Sequence, residues 1–515
     1  MTKALCCSAL LLALGVAHAQ PQGSSAQAGR AERSPSSTTA APSNIAIAPS
    51  ITHHTINLGG APLAYTATAA QIPLRNDAGD EECRMFYVAY TKDGADPRTR
   101  PVTFAFNGGP GSATLWLHMG ALGPKRAPMP DDGTLPPPPY ESVDNAESWL
   151  DFTDLVLIDA PGTGYSRLAR PDLASKYFGV RQDIAAFTEF VRGWLKEHQR
   201  WRSPLFVAGE SYGGIRGSGL SNSLFRAGIA LNGFISISGS SNFLTLDGMR
   251  GNDATYLGFF PSMAACAWYH HKLAPRFKSV DAVVKEATEW CDKEYAAALQ
   301  RGDSLSDAEK DHIAAKMAEY LGLSKKFCLG SNLKIPEFAF FRELLRDEGL
   351  QIGRYDGRIV GKVESRGAQA GGGPGGGGGS DPSSEATTPA FTSTINDYLG
   401  RELGVQTTMT YLNSGNVNPW QEPEGSYAET ASDLRNVIAR NPHFKVLYCC
   451  GYYDLACPVN ATVHTVNHMG LDAESRSRIS FAYYPAGHMM YSEKSSRIKF
   501  HDDAKKFVAD CLSKK

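Results

Sequence analysis

Apolar positions fall into short continuous runs separated by glycine-rich turns, and between several runs the spacing lengthens to that of helices. Residues 52–58, 61–70 and 83–91 read as strands, with Gly59-Gly60 as a hairpin turn between the first two. They predict an antiparallel start to a sheet. Residues 102–106, 155–159, 205–208 and 233–239 are apolar runs of buried-strand type, while 184–195 and the stretch after Ser211 carry helical spacing. Strands alternating with helices predict a mostly parallel sheet covered on both faces.

From about Gly248 the character changes. Val283, Val284, Ala287 and Trp290 share one helical face. Ser306-Asp307-Ala308-Glu309 is a capping box ahead of Ile313, Met317 and Tyr320, and Pro336 is placed as the first helical residue of a helix through 345. Helices without strands, set between two α/β stretches, predict an inserted cap over 248–435. Its glycine-rich segment, 368–384, reads as a flexible surface loop. Strands return at 445–451 and 478–484, and a helix at 499–512 closes the core. The predicted core is therefore split, 50–247 and 436–515.

Composition narrows the class. With 515 residues, 42% hydrophobic and 20% charged, the chain is that of a globular protein, and a net charge of −2 argues against nucleic acid as a partner. Residues 1–19 read as a signal peptide: Lys3, an apolar run, then Ala17-His18-Ala19. Residues 20–49, rich in Ala, Ser, Pro, Thr and Gly, read as a disordered leader. An exported protein, periplasmic or secreted and with no membrane attachment after cleavage, is expected. Export permits oxidation of Cys83, Cys266, Cys291, Cys328, Cys449, Cys450, Cys457 and Cys511. A disulfide within the trio Cys266, Cys291 and Cys328 is the first expectation, and Cys457 has Cys449 or Cys450 as alternative partners. Histidine and cysteine spacings match no metal site, and no cofactor is expected.

The chemistry centres on Gly209-Glu210-Ser211-Tyr212-Gly213, between a strand and a helix. That placement is the nucleophile elbow, a turn tight enough to lift the serine hydroxyl above a sheet. A serine needs a base, and the base an orienting carboxylate. Asp454 and His488 each follow a predicted strand, and they come after Ser211 in the order Ser, Asp, His. His464 and His468 fall on a predicted helix, and Asp159 precedes the nucleophile and suits a turn. The glycine loop Asn107-Gly108-Gly109-Pro110-Gly111-Ser112 ends a strand and presents backbone amides suited to phosphate or an oxyanion. It lacks the Lys-Ser/Thr ending of a nucleotide loop.

These motifs, with Asp159-x-Pro161-x-Thr163-Gly164-Tyr165-Ser166, Asp454-x-x-Cys457 and Gly487-His488-Met489, resemble in order the serine carboxypeptidase family. The resemblance implies an α/β-hydrolase fold, a Ser211–Asp454–His488 triad and an oxyanion hole from the amides of Gly109 and Tyr212. It further implies that Asn107, Gly108 and Glu210 hold the substrate's terminal carboxylate, and that Cys457 and Met489 border the pocket for the departing residue. Each backbone donor to an oxyanion is worth about 2.7–4 kcal/mol. Two positions depart from the family pattern. Ala105 stands where the family has Trp, and Ala121 where it has the Glu that shares a proton with the residue before the nucleophile. Glu210 thus lacks its carboxyl partner, and activity nearer neutrality is expected. An esterase, an acyltransferase or a peptidase of other end-specificity would use the same apparatus. A non-catalytic exported binding protein is the remaining alternative. The expected partner is a peptide substrate.

Overall fold

The computed structural model describes residues 45–248, 251–363, 381–422 and 427–513. The predicted signal peptide, most of the leader and most of the glycine-rich loop lie outside the described residues. All described residues belong to one compact unit.

The sheet begins with β1 (Ser50–Leu58), β2 (Ala61–Arg75) and β3 (Glu81–Lys92). It continues with β4 (Val102–Phe106), β5 (Asp154–Ile158), β6 (Leu205–Glu210) and β7 (Gly233–Ile237), and after an insertion with β8 (Lys445–Gly451) and β9 (Ile479–Tyr484). Their order is β1-β2-β3-β5-β4-β6-β7-β8-β9, with the short strand Arg167–Leu168 paired to β3. β1, β2 and β3 pair antiparallel, and β3 pairs antiparallel with β5; from β5 to β9 every pairing is parallel. The central strands are buried along their whole length, because helices cover both faces. This is the α/β-hydrolase fold.

Helix α1 (Val180–Glu197) presents Ile184, Phe187, Val191 and Trp194 to the sheet, and α2 (Gly213–Arg226) follows the elbow. The closing helix, Lys494–Leu512, begins one turn earlier than its apolar spacing suggests, because Glu493 caps it through the amides of Ser495 and Ser496. Among the described residues no helix is long and apolar enough to cross a membrane.

The insertion between β7 and β8 holds the helices Ala254–Tyr269, Val280–Trp290, Asp307–Leu321, Glu337–Glu343 and Pro382–Asp397. The Ser306 capping box forms as read, with Ser306 and Glu309 satisfying each other's amides. Several details differ. Pro336 is the residue before the helix, in extended conformation. The insertion is not purely helical: Leu350–Ile352 and Val360–Lys362 pair as a hairpin. Residues 382–384 open a helix capped by Asp381 rather than ending a loop. Ile47 is 5% exposed and its amide donates to Gln71, so the ordered body starts before residue 50.

The return to the core also comes before 435. Ser112 pairs with Ser414 and Gly164 with Leu412 as isolated bridges. Helix Ala431–Arg440 docks on α2, with Thr430 donating to the carbonyl of Ile215 and Asn222 to Asp433. The expected disulfides are absent among the described residues: all eight cysteines are free thiols. Cys266, Cys291 and Cys328 instead sit fully buried in one apolar cluster, where a thiol packs as a small hydrophobe.

Candidate active site

Ser211 directly follows β6 with φ at +62°, in the left-handed region. Its amide donates to the carbonyl of Ile237 at 3.0 Å, and its carbonyl accepts from Gly214 at 2.8 Å. Neighbouring β7 and the first turn of α2 thereby hold the strained turn. A Cβ on Gly209 would stand 2.3 Å from the Gly213 carbonyl oxygen, and one on Gly214 2.7 Å from that of Ser240. Only glycine fits at either position.

Asp454 and His488 follow the C-terminal ends of β8 and β9, at the same edge of the sheet as Ser211. His488 Nδ1 lies 2.7 Å from Asp454 Oδ2, and both side chains are buried, 3% and 0% exposed. The other oxygen of Asp454 accepts from the amides of Ala456 at 2.7 Å and Cys457 at 2.9 Å. The carboxylate is therefore fixed in orientation and holds the proton on Nδ1, leaving Nε2 as the basic nitrogen. Burial opposes a charged imidazole, but the Asp454 charge and hydrogen bond prevail and raise the His488 pKa above its ordinary 6.5.

The glycine loop after β4 runs against the elbow so tightly that a Cβ on Gly108 would fall 2.4 Å from the Tyr212 nitrogen. Gly109, at φ +104°, lines the same cavity as Ser211. Among the described residues neither the Gly109 nor the Tyr212 amide donates to a protein acceptor. Asp159 steadies this loop from below. It accepts from the Thr114 amide at 2.9 Å, the Tyr411 hydroxyl at 3.1 Å and the Tyr165 amide at 3.4 Å. Burial still pushes its pKa up to about 6.

Asn107 and Glu210 come together, but beneath the elbow. Asn107 is 2% exposed and Glu210 3%. Asn107 Nδ2 donates to Glu210 Oε1 at 2.8 Å, and the Tyr491 hydroxyl donates to Glu210 Oε2 at 2.6 Å. Glu210 is thus not left without a partner, as Ala121 suggested: the Tyr491 phenol donates to it. Burial raises the Glu210 pKa to about 7. Asn107 is pinned in turn: its Oδ1 accepts from the Leu117 amide, and its carbonyl from Arg216. Arg216 is itself fully buried and paired with Asp183 at 2.7 Å.

The cavity over Ser211 has a volume of about 990 Å³. Cys457 lines it, with its thiol against the Ser211 hydroxyl and its pKa driven up by burial. Met489 packs instead, partly buried, against the core under the sheet. Phe243, Leu246 and Ala456 of the core line it too, and the insertion adds Tyr256, Phe259, Phe341, Arg354 and Tyr355. Residues 353–358 run between the loops that carry Asp454 and His488: the His488 amide donates to the Tyr355 carbonyl at 2.6 Å and the Leu455 amide to the Arg354 carbonyl at 3.1 Å. The Tyr355 ring stands 5.2 Å from the His488 ring. Sequence reasoning missed Tyr491, Arg354 and Tyr355. Tyr491 lies only three residues after His488, which is the one local signal it carried.

The chain is 29% identical over 139 residues to serine carboxypeptidase-like 13 of Arabidopsis thaliana, covering 26% of this chain and 31% of that protein. Serine carboxypeptidase-like 16 of the same plant is 30% identical over 142 residues, covering 26% and 30%. Serine-type carboxypeptidase F of Aspergillus niger is 31% identical over 117 residues, covering 22% and 19%. The matches therefore span about a third or less of these relatives' length. Among solved structures, proline iminopeptidase of Mycobacterium smegmatis aligns over 89% of this chain and 98% of its own, with a TM-score of 0.37 and 14% identity. A peroxisomal α/β-hydrolase of Saccharomyces cerevisiae aligns over 91% and 92%, with a TM-score of 0.37 and 10% identity. The family model described as serine carboxypeptidase matches residues 76–351, more than half of the chain. The chain belongs to the serine carboxypeptidase family.

Proposed function

We propose that the protein is an exported serine carboxypeptidase that hydrolyses peptides through an acyl-enzyme on Ser211. Asp454 and His488 form the proton relay, and the amides of Gly109 and Tyr212 form the oxyanion hole. The insertion over 248–435 acts as the cap that shapes the substrate pocket, while 50–247 and 436–515 supply the catalytic core. Export rests on the apolar run and Ala17-His18-Ala19 of residues 1–19.

In acylation, the Ser211 hydroxyl attacks the scissile carbonyl while His488 Nε2 takes its proton. Negative charge grows on the carbonyl oxygen, and the unpaired amides of Gly109 and Tyr212 stabilise it. His488 then gives its proton to the departing amine, and the C–N bond breaks. Water, deprotonated by the same imidazole, hydrolyses the ester and restores Ser211. Asp454 stabilises the imidazolium throughout without taking its proton.

The observation that carries this reading is the buried 2.7 Å contact between His488 and Asp454, at the sheet edge where Ser211 stands in a left-handed turn. The test is product analysis by mass spectrometry of a peptide library digested by wild type and Ser211→Ala. Products shortened stepwise from the C-terminus, with about a million-fold loss in the variant, are expected. Internal cleavage, or equal cleavage of free and amidated C-termini, would reject carboxypeptidase action. Failure of Ser211 to react with an organophosphonate would reject serine hydrolysis altogether.

A further inference from the structure

The cavity above Ser211 contains two arginines, Arg342 and Arg354. Among the described residues neither guanidinium has a carboxylate within ion-pair distance. Arg354 is partly buried. Its Nη1 donates only to the Tyr355 hydroxyl, at 3.3 Å, and its guanidinium carbon lies 5.2 Å from that ring. Among the described residues none of the acids lining the cavity, Asp247, Glu337, Asp381 and Glu422, pairs with it. Asp381 is engaged by the amides of Arg354 and Ser383 and by the hydroxyls of Ser383 and Ser384. Glu337 acts on Arg354 only through space, and burial raises its own pKa.

A partly buried guanidinium with most of its donors unpaired within the protein is a ready fork for a carboxylate. The backbone of Arg354 is held at both ends, its amide by Asp381 and its carbonyl by Leu455, so the fork is presented from a fixed base. The buried pair Asn107 and Glu210 offers a carboxylate no such opening. The Asn107 amide and the Tyr491 hydroxyl already donate to Glu210, and both side chains of the pair are closed off below the elbow.

We infer that Arg354 binds the carboxylate of the residue leaving the active site, so that the insertion supplies carboxylate recognition. This rests on the peptidase reading for its substrate. The Tyr355 ring connects the two functions: its centre lies 5.2 Å from the Arg354 guanidinium carbon and 5.2 Å from the centre of the His488 ring. A bound carboxylate on Arg354 therefore sits beside the relay, where the departing residue must be.

The test separates binding from turnover. In Ser211→Ala protein, calorimetry compares three blocked dipeptides: benzyloxycarbonyl-Phe-Leu with a free carboxylate, its C-terminal amide, and benzyloxycarbonyl-Phe-Glu amide. The first carries only a main-chain carboxylate and the third only a side-chain one. Preference for the first or the third over the amide is expected, and identifies the source of the carboxylate. Arg354→Gln in the same background should cut that preference about 30-fold or more. Arg354→Lys should retain part of it, and serves if the glutamine variant folds poorly. In active protein the free-acid to amide ratio of kcat/KM should fall by a similar factor. A preference unchanged in Arg354→Gln, or absent in Ser211→Ala with Arg354 intact, overturns the assignment. An Arg354-dependent preference in a protein that hydrolyses none of the peptides would sustain it while removing the peptidase reading.

Discussion

The polar groups below the nucleophile differ in kind from those above it. Below, Asn107, Glu210, Tyr491, Arg216 and Asp183 form a buried set in which each member has a partner on another element. Above, Arg354 stands over the cavity with one weak contact to a phenol. Groups paired in this way across elements resist change and so fix position. An unsatisfied cation at a cavity wall keeps interaction energy in reserve for a ligand. The same turn of chain thus rests on rigid polar support from the sheet, while recognition is left to the insertion.

The comparison can be broken most sharply at the relay. Asp454→Asn keeps the shape but releases the imidazole tautomer, and kcat should fall about 10⁴-fold with little change in melting temperature. A smaller loss would mean that another group orients His488.

Next comes the support itself. Arg216→Met leaves Asp183 buried and unpaired, so urea unfolding should show a loss of about 3–5 kcal/mol. A near-neutral result would show that the lower network is less closed than its geometry.

Two pH experiments sharpen the contrast. His488 must be neutral to accept a proton, and its pKa is raised, so kcat/KM should fall as pH drops through a value above 6.5. A profile that collapses above mildly acid pH would contradict both this and near-neutral activity.

The smallest effect concerns Glu210, whose pKa of about 7 exceeds that of an unfolded glutamate. The unfolded state then loses its proton first, so this group's contribution to stability is full below about pH 4.3 and is lost as pH rises toward 7. Relative to wild type, Glu210→Gln should gain stability across that interval, read from melting temperature against pH. No change in the difference would mean that the carboxyl is already ionised when folded.

Much of the core was legible because its signals are local. β4, β5, β6 and β7 are apolar runs ended by glycine or a turn residue, and the elbow needs glycine at 209 and 214 for reasons confined to a few residues. The approach of Asp454 to His488 was legible from strand order alone. The insertion was harder to read. Leu350–Ile352 and Val360–Lys362 are three-residue strands, too short for any alternation to register. Cysteine count and export suggested bridges, yet Cys266, Cys291 and Cys328 serve as apolar packing, which spacing does not reveal. Tyr491 and Arg354 gain meaning only from what the fold sets opposite them, a buried carboxyl in one case and a cavity in the other.

The segment 353–358 splints the two loops that carry the acid and the base. Exchanging the insertion would therefore alter more than the cavity wall: it would also remove the brace between Asp454 and His488. An insertion altered to take a new ligand would have to keep this strap for Asp454 and His488 to hold their places.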